Sequence, residues 1–277
     1  MRAMREWSCL CLVLGLALLW QSAVADSDCQ EASADCVAVG HWNFSVVLGA
    51  GVRTNPLVDG KDIPLVVVPQ ISYYGKRFFL DNLDLGFTLL EKGESTLSFV
   101  GSPGYDRVYF YRDDLQNIFL NGLPTDSASG SDISRTAFPP RSRGVTYLAG
   151  PEWTFKTHGI SGQLDVLHDL TGHDHGTEVR AALGIPLIEA HGKLTADVGL
   201  TWKSASIVNY YYGAPGIYEG SAAFDPFVKL GYVRPLSRKW RLTALLQCER
   251  LGDSIANSPI VAEHYVETAF IGATYTY

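Results

Sequence analysis

The 277-residue sequence lacks a long apolar run in the part that follows its N-terminal region. No stretch of that part approaches the roughly 18 consecutive apolar residues of a transmembrane helix. It is also poor in charge, with 18% charged residues, a net charge of −7 and no cluster of Lys and Arg. This balance argues against a nucleic-acid partner, because phosphate binding requires clustered basic residues. The 27 glycines and 12% aromatic residues favour strands and turns over helices.

The N-terminus has the features of a secretory signal peptide. Two arginines lie within the first five residues, residues 9–20 form an apolar core too short to span a bilayer, and residues 23–25 fit a small-residue cleavage site. We predict cleavage after Ala25, which makes residues 1–25 the signal peptide. An uncleaved membrane anchor is the alternative.

Cysteine is scarce, with five in the chain, of which two leave with the predicted signal peptide. Cys29 and Cys36 lie close together in the segment 26–41, which we predict to be periplasmic. An exported, oxidising context makes them candidates for a small disulfide loop before the first strand. A metal site is the weaker alternative, since no second pair of ligands accompanies them. The sequence therefore predicts no metal and no other cofactor.

Alternation of apolar with small or polar residues recurs along the mature chain. It is clearest in residues 42–53, 145–156, 193–202 and 240–249. A helical period of 3.6 residues would bring Lys and Asp onto the apolar face within two turns. These segments are therefore predicted to be strands with one apolar face.

We predict an all-β fold for residues 42–277, a transmembrane antiparallel β-barrel of about 12 strands, with about 10 or 14 as alternatives. The candidate strands are residues 42–53, 63–74, 76–80, 83–90, 94–100, 143–156, 159–168, 176–187, 191–203, 222–234, 239–250 and 264–277.

The connections between these strands also favour an outer-membrane barrel of a Gram-negative bacterium. Short turns and longer loops alternate, as expected when turns face the periplasm and loops face outward. Counting back from a periplasmic C-terminus leaves one misfit, because the tight Asp81-Asn82 turn falls on the outer side. The surroundings of the barrel would be outer-membrane lipid.

The predicted inward faces carry acids and bases in equal number. Balanced signs predict ion pairs across strands in a narrow or occluded lumen, with a small-solute pore as the alternative. The acids are Glu152, Asp165, Glu178, Asp197, Asp225 and Glu249, and the bases are Lys156, Arg180, Lys193, Lys203, Lys229 and Arg241.

The run from His168 to His175 is the one dense group of residues that could carry chemistry. Its Asp and His residues could activate water, and His173 with His175 could hold a divalent metal. A polar hairpin loop explains the same residues. We predict the loop and no enzyme, because no second Asp pair and no Ser nucleophile lies in register with it. A hydrolase that uses the 168–175 loop is the alternative.

Several segments resemble the MipA/OmpV family of MltA-interacting outer-membrane proteins. They are Pro69 to Leu80, Asn209-Tyr210-Tyr211-Tyr212-Gly213, Arg250-Leu251-Gly252-Asp253-Ser254, Asn257-Ser258-Pro259-Ile260-Val261, and the ending from Gly272 to Tyr277. The resemblance covers most of the chain from about Trp42. It implies a non-enzymatic barrel that scaffolds peptidoglycan remodelling by joining a lytic transglycosylase to a penicillin-binding protein. Other members are described as adhesins or as proteins that affect antibiotic passage.

The resemblance marks positions without giving them roles. These are Asn209, Tyr210, Tyr211, Tyr212, Gly213, Arg250, Gly252, Asp253, Ser258 and Pro259. The three tyrosines could form a platform for a sugar or peptide, but we predict that they belong to the interfacial aromatic girdle. Arg250 and Asp253 are predicted to form an ion pair that stabilises their loop.

Overall fold

The computed structural model describes residues 40–110, 143–189 and 192–277. Twelve antiparallel strands close into a barrel in which the first strand pairs with the last. They are β1 (Trp42–Arg53), β2 (Ile63–Tyr74), β3 (Phe78–Asp81), β4 (Asp84–Lys92), β5 (Ser95–Pro103), β6 (Tyr147–Thr157), β7 (Ile160–Asp169), β8 (Thr177–Ile188), β9 (Lys193–Lys203), β10 (Ala223–Pro235), β11 (Trp240–Arg250) and β12 (Tyr265–Thr276). The predicted fold class and strand number are confirmed.

The alternation in the sequence becomes the two faces of the wall. On β1, the large apolar residues Phe44 and Leu48 are exposed on the outside, whereas Val47 between them is buried inside. On β12, Ile271 is 56% exposed and Thr274 is 1% exposed. The apolar face therefore meets lipid and the small or polar face lines the lumen.

Aromatic residues form a girdle at the end of the barrel where β1 begins and β12 ends. Contacts join Trp42 to Tyr73, Trp153 to Phe155, and Trp240 to Tyr275, with ring centroids 5.1, 4.9 and 5.0 Å apart. The C-terminal Tyr277 ring lies 5.0 Å from that of Tyr275. Such a belt marks a membrane interface, and the short turns at this end mark it as the periplasmic one.

Inward aromatic rings require glycines on the neighbouring strands. A Cβ atom at Gly86 would lie 1.9 Å from the Phe79 ring, and one at Gly49 or Gly272 would lie 2.6 or 2.7 Å from the Phe270 ring. Each ring thus lies against bare backbone. Glycine in these strands serves close approach, which is one of its regular uses inside a sheet.

In the described part of the chain, three short helical segments lie in the outer connections, and the sequence did not predict them. They are a 3-10 helix at Tyr105–Tyr109, α1 (Ala205–Tyr212) and α2 (Asp253–Ala256). All three contribute residues that are almost fully buried. The outer loops therefore fold back onto the barrel.

The tight outer turn that broke the predicted parity leaves part of β2 without a described neighbouring strand. β3 has four residues, and only Ser72, Tyr73 and Tyr74 of β2 pair with it. The turn is capped by Asn82, whose N–H donates to the Ile71 carbonyl at 2.7 Å and whose side chain accepts from the Ile71 N–H at 3.0 Å. Among the described residues, nothing pairs with 63–70 on this side of β2. We call this side of residues 63–70 the β3 side.

The predicted signal peptide and the Cys29–Cys36 disulfide lie outside the described residues, so both stay predictions. Cys248 on β11 takes part in a disulfide bond.

The β3 side of residues 63–70 can be tested with proline. Strand alternation from Ile71 places the N–H of Val67 on the β3 side and that of Val68 on the β1 side. We expect Val67→Pro to assemble like wild type, because no hydrogen bond to a described strand is lost. Val68→Pro should impair assembly, because it removes a donor to β1. Heat-modifiable migration of membrane-extracted protein measures both, and equal impairment would show that the β3 side is paired at Val67.

Candidate functional site

Some of the charged residues predicted to face inward are paired with charges of opposite sign. Lys229 of β10 and Asp197 of β9 lie 3.2 Å apart, whereas Arg180 contacts Glu178 on its own strand, β8, and also the Ser102 hydroxyl. The predicted ion pairing across strands is confirmed for Lys229 and Asp197.

Where two carboxylates are neighbours in the lumen, a neutral side chain donates hydrogen bonds to both. Glu152 and Asp165 are direct neighbours across β6 and β7. The Gln163 side-chain amide donates to both, at 3.0 Å to Glu152 and at 3.0 and 3.2 Å to the two oxygens of Asp165. One amide therefore holds two carboxylates together.

The most buried ion pairs gather around Lys203 at the outer end of β9. Its ammonium lies 2.8 Å from Asp106 of the 3-10 helix and 3.1 Å from Asp225 of β10. Asp225 is fully buried, and its second oxygen accepts from the Gly252 N–H at 2.7 Å. Sequence reasoning found Lys203 and Asp225 from the strand pattern, but it missed Asp106 because that residue lies in a loop.

The outer end of the lumen is filled by apolar side chains from the loops, which we call the outer plug. All its members are at most 7% exposed. They are Leu57, Val108, Tyr109, Ile207, Val208, Tyr211, Tyr212, Leu251, Ile255, Ala256 and Ile260. Because the plug joins residues from four outer connections, it orders that whole end of the barrel.

The prediction that Tyr210, Tyr211 and Tyr212 belong to the aromatic girdle is wrong. Tyr211 and Tyr212 are 1% and 0% exposed, because α1 turns them into the outer plug and away from lipid. The Tyr211 hydroxyl bonds to Thr146 at 2.9 Å, and the Tyr210 hydroxyl accepts from the Gly144 N–H at 2.5 Å. Because the ring faces of Tyr211 and Tyr212 are packed, these two residues cannot serve as an open platform for a sugar.

The Tyr212 hydroxyl links α1 to the Lys203 cluster by donating to Asp106 at 2.9 Å. Burial, and then the negative charge of Asp106, raise the pKa of Tyr212 well above its ordinary value. The hydroxyl therefore stays protonated and can always donate. Ser258 donates to the Tyr212 carbonyl at 2.6 Å from the loop after α2.

Asn209 and Gly213 shape the loop around α1. The Asn209 side chain both donates to and accepts from the backbone of Gly220, at 2.7 and 2.8 Å. A Cβ at Gly213 would lie 2.4 Å from the Asn209 carbonyl oxygen. These two motif positions have structural roles in closing the loop.

The motif around α2 also has structural roles. The predicted pair between Arg250 and Asp253 forms, at 3.1 Å, on the exposed surface. Gly252 packs so tightly that a Cβ would lie 2.8 Å from the Phe224 backbone. Pro259 is exposed next to the buried Ser258. The resembling segments around α1 and α2 thus contribute many of the residues of the outer plug.

The 168–175 loop uses its acids to hold its own backbone. Asp169 accepts from the Thr171 N–H and hydroxyl at 2.8 and 2.5 Å and from the N–H groups of Asp174 and His175 at 3.0 and 3.1 Å. Within the described ranges, no three His, Cys, Asp or Glu side chains lie close enough to hold a metal ion. The hydrogen bonds explain the loop without chemistry.

Asp174 gives this loop a testable pH dependence. Its carboxyl is 7% exposed and accepts one bond, from the Gly176 N–H at 2.7 Å. Burial raises its pKa. The ionised form of Asp174 is therefore disfavoured in the folded loop. The loop loses stability as the pH rises from the ordinary pKa of an aspartate through the raised pKa of Asp174. Asp174→Asn keeps an acceptor, so protease cleavage of the loop should depend less on pH in this range. An unchanged pH profile would contradict the assignment.

The periplasmic half of the lumen contains a cavity of about 440 Å³. Thr96, Lys156, Gln163, Asp197 and Lys229 line it, beside the turn between β4 and β5. Its polar lining contrasts with the apolar outer plug. The described part of the lumen therefore has a polar cavity in its periplasmic half and apolar side chains at its outer end.

Removal of the Lys203 charge should loosen the outer plug. Lys203→Met leaves Asp106 and Asp225 buried without their cation, which should cost about 3–5 kcal/mol. Lys229→Met is the matched control, because Lys229 contacts one partner and its side chain is 38% exposed. Urea denaturation in detergent with protease cleavage of the outer loops as the probe measures both. Equal losses would contradict the central role of Lys203.

Comparison with known proteins gives a consistent result. The family model described as MltA-interacting protein MipA matches residues 48–277. The chain is 24% identical over 259 residues to the MltA-interacting protein of Escherichia coli K12, covering 87% of this chain and 93% of that protein. It is 23% identical over 247 residues to the putative outer membrane protein YiaT of Escherichia coli O157:H7, covering 84% and 91%. An outer membrane channel from Pseudomonas putida F1 aligns at 10% identity and a TM-score of 0.46, covering 91% of this chain and 100% of that chain.

Proposed function

Because the chain belongs to the MltA-interacting protein MipA family, an outer-membrane barrel family of Gram-negative bacteria, we propose that it is a non-enzymatic scaffold for peptidoglycan remodelling. Its partner would be a periplasmic lytic transglycosylase, as the name of the relative from Escherichia coli indicates. A penicillin-binding protein would be the second partner, which the family resemblance implies.

The observation that carries this proposal is the outer plug. A barrel whose outer end is filled by side chains at most 7% exposed is poorly suited to pass solutes between the two sides of the membrane. Several charges in its lumen are paired with opposite charges, whereas an ion-selective pore would show an excess of one sign. A rigid, plugged barrel suits a membrane anchor that presents its periplasmic end to a partner.

The periplasmic turns supply a surface for such a partner. The turn between β10 and β11 is exposed, and it carries Arg238 and Lys239. The Lys239 ammonium lies 5.7 Å from the centre of the Tyr275 ring, so Arg238 is the basic residue of this turn that we choose for testing partner binding. Exposed basic residues beside a membrane interface favour an acidic protein surface.

The scaffold role predicts binding of a purified lytic transglycosylase to the detergent-solubilised barrel. Arg238→Glu should weaken this binding, because it reverses a charge on the periplasmic face. Glu219→Lys is the matched control, since Glu219 is exposed on the outer loop between β9 and β10. Equilibrium binding by thermophoresis measures all three proteins. No binding by the wild-type barrel would refute the scaffold.

A planar-bilayer recording distinguishes the scaffold from a pore. The filled outer end predicts no steady conductance for the wild-type barrel. Steady channels of uniform size would instead support the small-solute pore, in which the 440 Å³ cavity would be the vestibule.

A further inference from the structure

The polar cavity in the periplasmic half of the lumen is built on a rigid part of the wall. Thr96 of β5 stands directly opposite Thr154 of β6, and Ser161 and Gln163 follow on β7. Every strand from β5 to β10 is paired on both sides, so the barrel fixes these positions. The volume of about 440 Å³ lies in the usual range of small-molecule sites, which is roughly 300–1,000 Å³.

The far side of the cavity is already neutralised. Asp197 of β9 lies 3.2 Å from the Lys229 ammonium of β10. A Cβ atom at Gly184 would lie 2.4 Å from an Asp197 carboxylate oxygen and 2.8 Å from the Ser161 hydroxyl, so this glycine leaves room for both groups. The ion pair therefore needs no further counterion from a ligand.

The near side of the cavity, in contrast, carries groups that are not used by the barrel. Within residues 40–110, 143–189 and 192–277, the Lys156 ammonium and the hydroxyls of Thr96 and Thr154 make no ion pair or hydrogen bond. Lys156 is exposed and lies two residues after Thr154, on the same face of β6. One cation and two hydroxyls on adjacent strands are thus available to a ligand.

We propose that this cavity binds a sugar that carries one carboxylate, as the muramic acid units of peptidoglycan do. The choice of this sugar rests on the proposed function, because a scaffold for peptidoglycan remodelling meets such fragments at its periplasmic end. The Lys156 ammonium binds the carboxylate by a charge-assisted hydrogen bond. Thr96 and Thr154 bind hydroxyl and acetamide groups of the sugar, since a hydroxyl both donates and accepts.

The lining disfavours other classes of ligand. Apart from Phe155 and Ala182, it consists of polar side chains and glycines, which does not suit an apolar ligand. Glu94 and Asp197 lie in the same lining and repel a polyanion such as a nucleotide. A peptide strand needs an unpaired sheet edge, and the strands from β5 to β10 offer none because each is paired on both sides.

Two sugars that differ in the carboxylate test the role of Lys156. N-acetylmuramic acid carries a lactyl carboxylate that N-acetylglucosamine lacks, and ligand-observed NMR titration of the detergent-solubilised barrel measures both affinities. Wild type should bind the acidic sugar about tenfold more tightly, as expected for one charge-assisted hydrogen bond. Lys156→Met should remove this difference, and Lys156→Arg should restore most of it. Equal affinity of wild type for the two sugars would overturn the proposal.

Lys193→Met is the matched control for Lys156→Met. Lys193 is also an exposed lysine on the inward face, on β9, but it does not line the cavity. We expect this variant to keep the wild-type preference for the acidic sugar. A loss as large as that of Lys156→Met would show that the preference comes from the general charge of the lumen, which would overturn the proposed site.

The hydroxyl groups are tested separately from the charge. Thr154→Val removes one hydroxyl with little change of shape, so it should weaken the binding of both sugars by a similar factor. The heat-modifiable, assembled fraction of each variant is used, so that misfolded protein does not contribute. Unchanged affinity for both sugars would overturn the placement of the sugar in this cavity.

Amine acetylation of the wild-type barrel needs no variant at all. N-acetylmuramic acid should slow the modification of Lys156 and leave that of Lys193 unchanged, as measured by peptide mass spectrometry. Equal protection of the two lysines, or protection of neither, would overturn the proposal. These measurements contain no transglycosylase, so a barrel that binds the enzyme but neither sugar would overturn this inference and leave the scaffold role intact.

Discussion

The buried ion pairs of Lys203 hold together the part of the molecule that distinguishes it from an open barrel. One ammonium on the wall meets Asp106 of the 3-10 helix and Asp225 of the next strand. Asp225 in turn fixes the N-terminus of α2 through Gly252, and Asp106 accepts from Tyr212 of α1. Each of the three helical segments is thus tied to a single charge. Apolar burial in the outer plug supplies the driving force, but these contacts specify where each segment sits.

Much of the barrel could be predicted from the sequence because its signals are local. A period of two separates the lipid-facing Leu48 and Ile271 from the inward Val47 and Thr274 without any knowledge of the neighbouring strands. The same period placed Lys203 and Asp225 inside. The outer plug could not be found in this way, since its members come from separate loops that share no period. Only α1 carried a usable sign, because Ile207, Val208, Tyr211 and Tyr212 follow a helical spacing.

Two features show how local patterns can be misinterpreted. A run of three tyrosines near a strand end is typical of an interfacial girdle, but here a helix separates the run from β9 and turns it inward. The tight Asp81-Asn82 turn contradicted the alternation of short turns and long loops, and the structure explains the contradiction by a truncated strand. In the first case a short-range pattern was overruled by tertiary packing. In the second, the exception to the pattern marked the place where a strand is truncated.

The glycines around Phe270 help to fix the register in which β12 pairs with β1 and closes the barrel. β12 is made last, and it must find β1 in one register among several that keep the same face inward. In the native register Phe270 stands opposite Gly51, and its ring lies over Gly49. A slip of two residues in one direction would bring the ring against Val47, and in the other direction Phe270 would stand opposite Arg53. Only the native alignment places a glycine both opposite Phe270 and under its ring, so the final pairing step disfavours the two nearest register shifts.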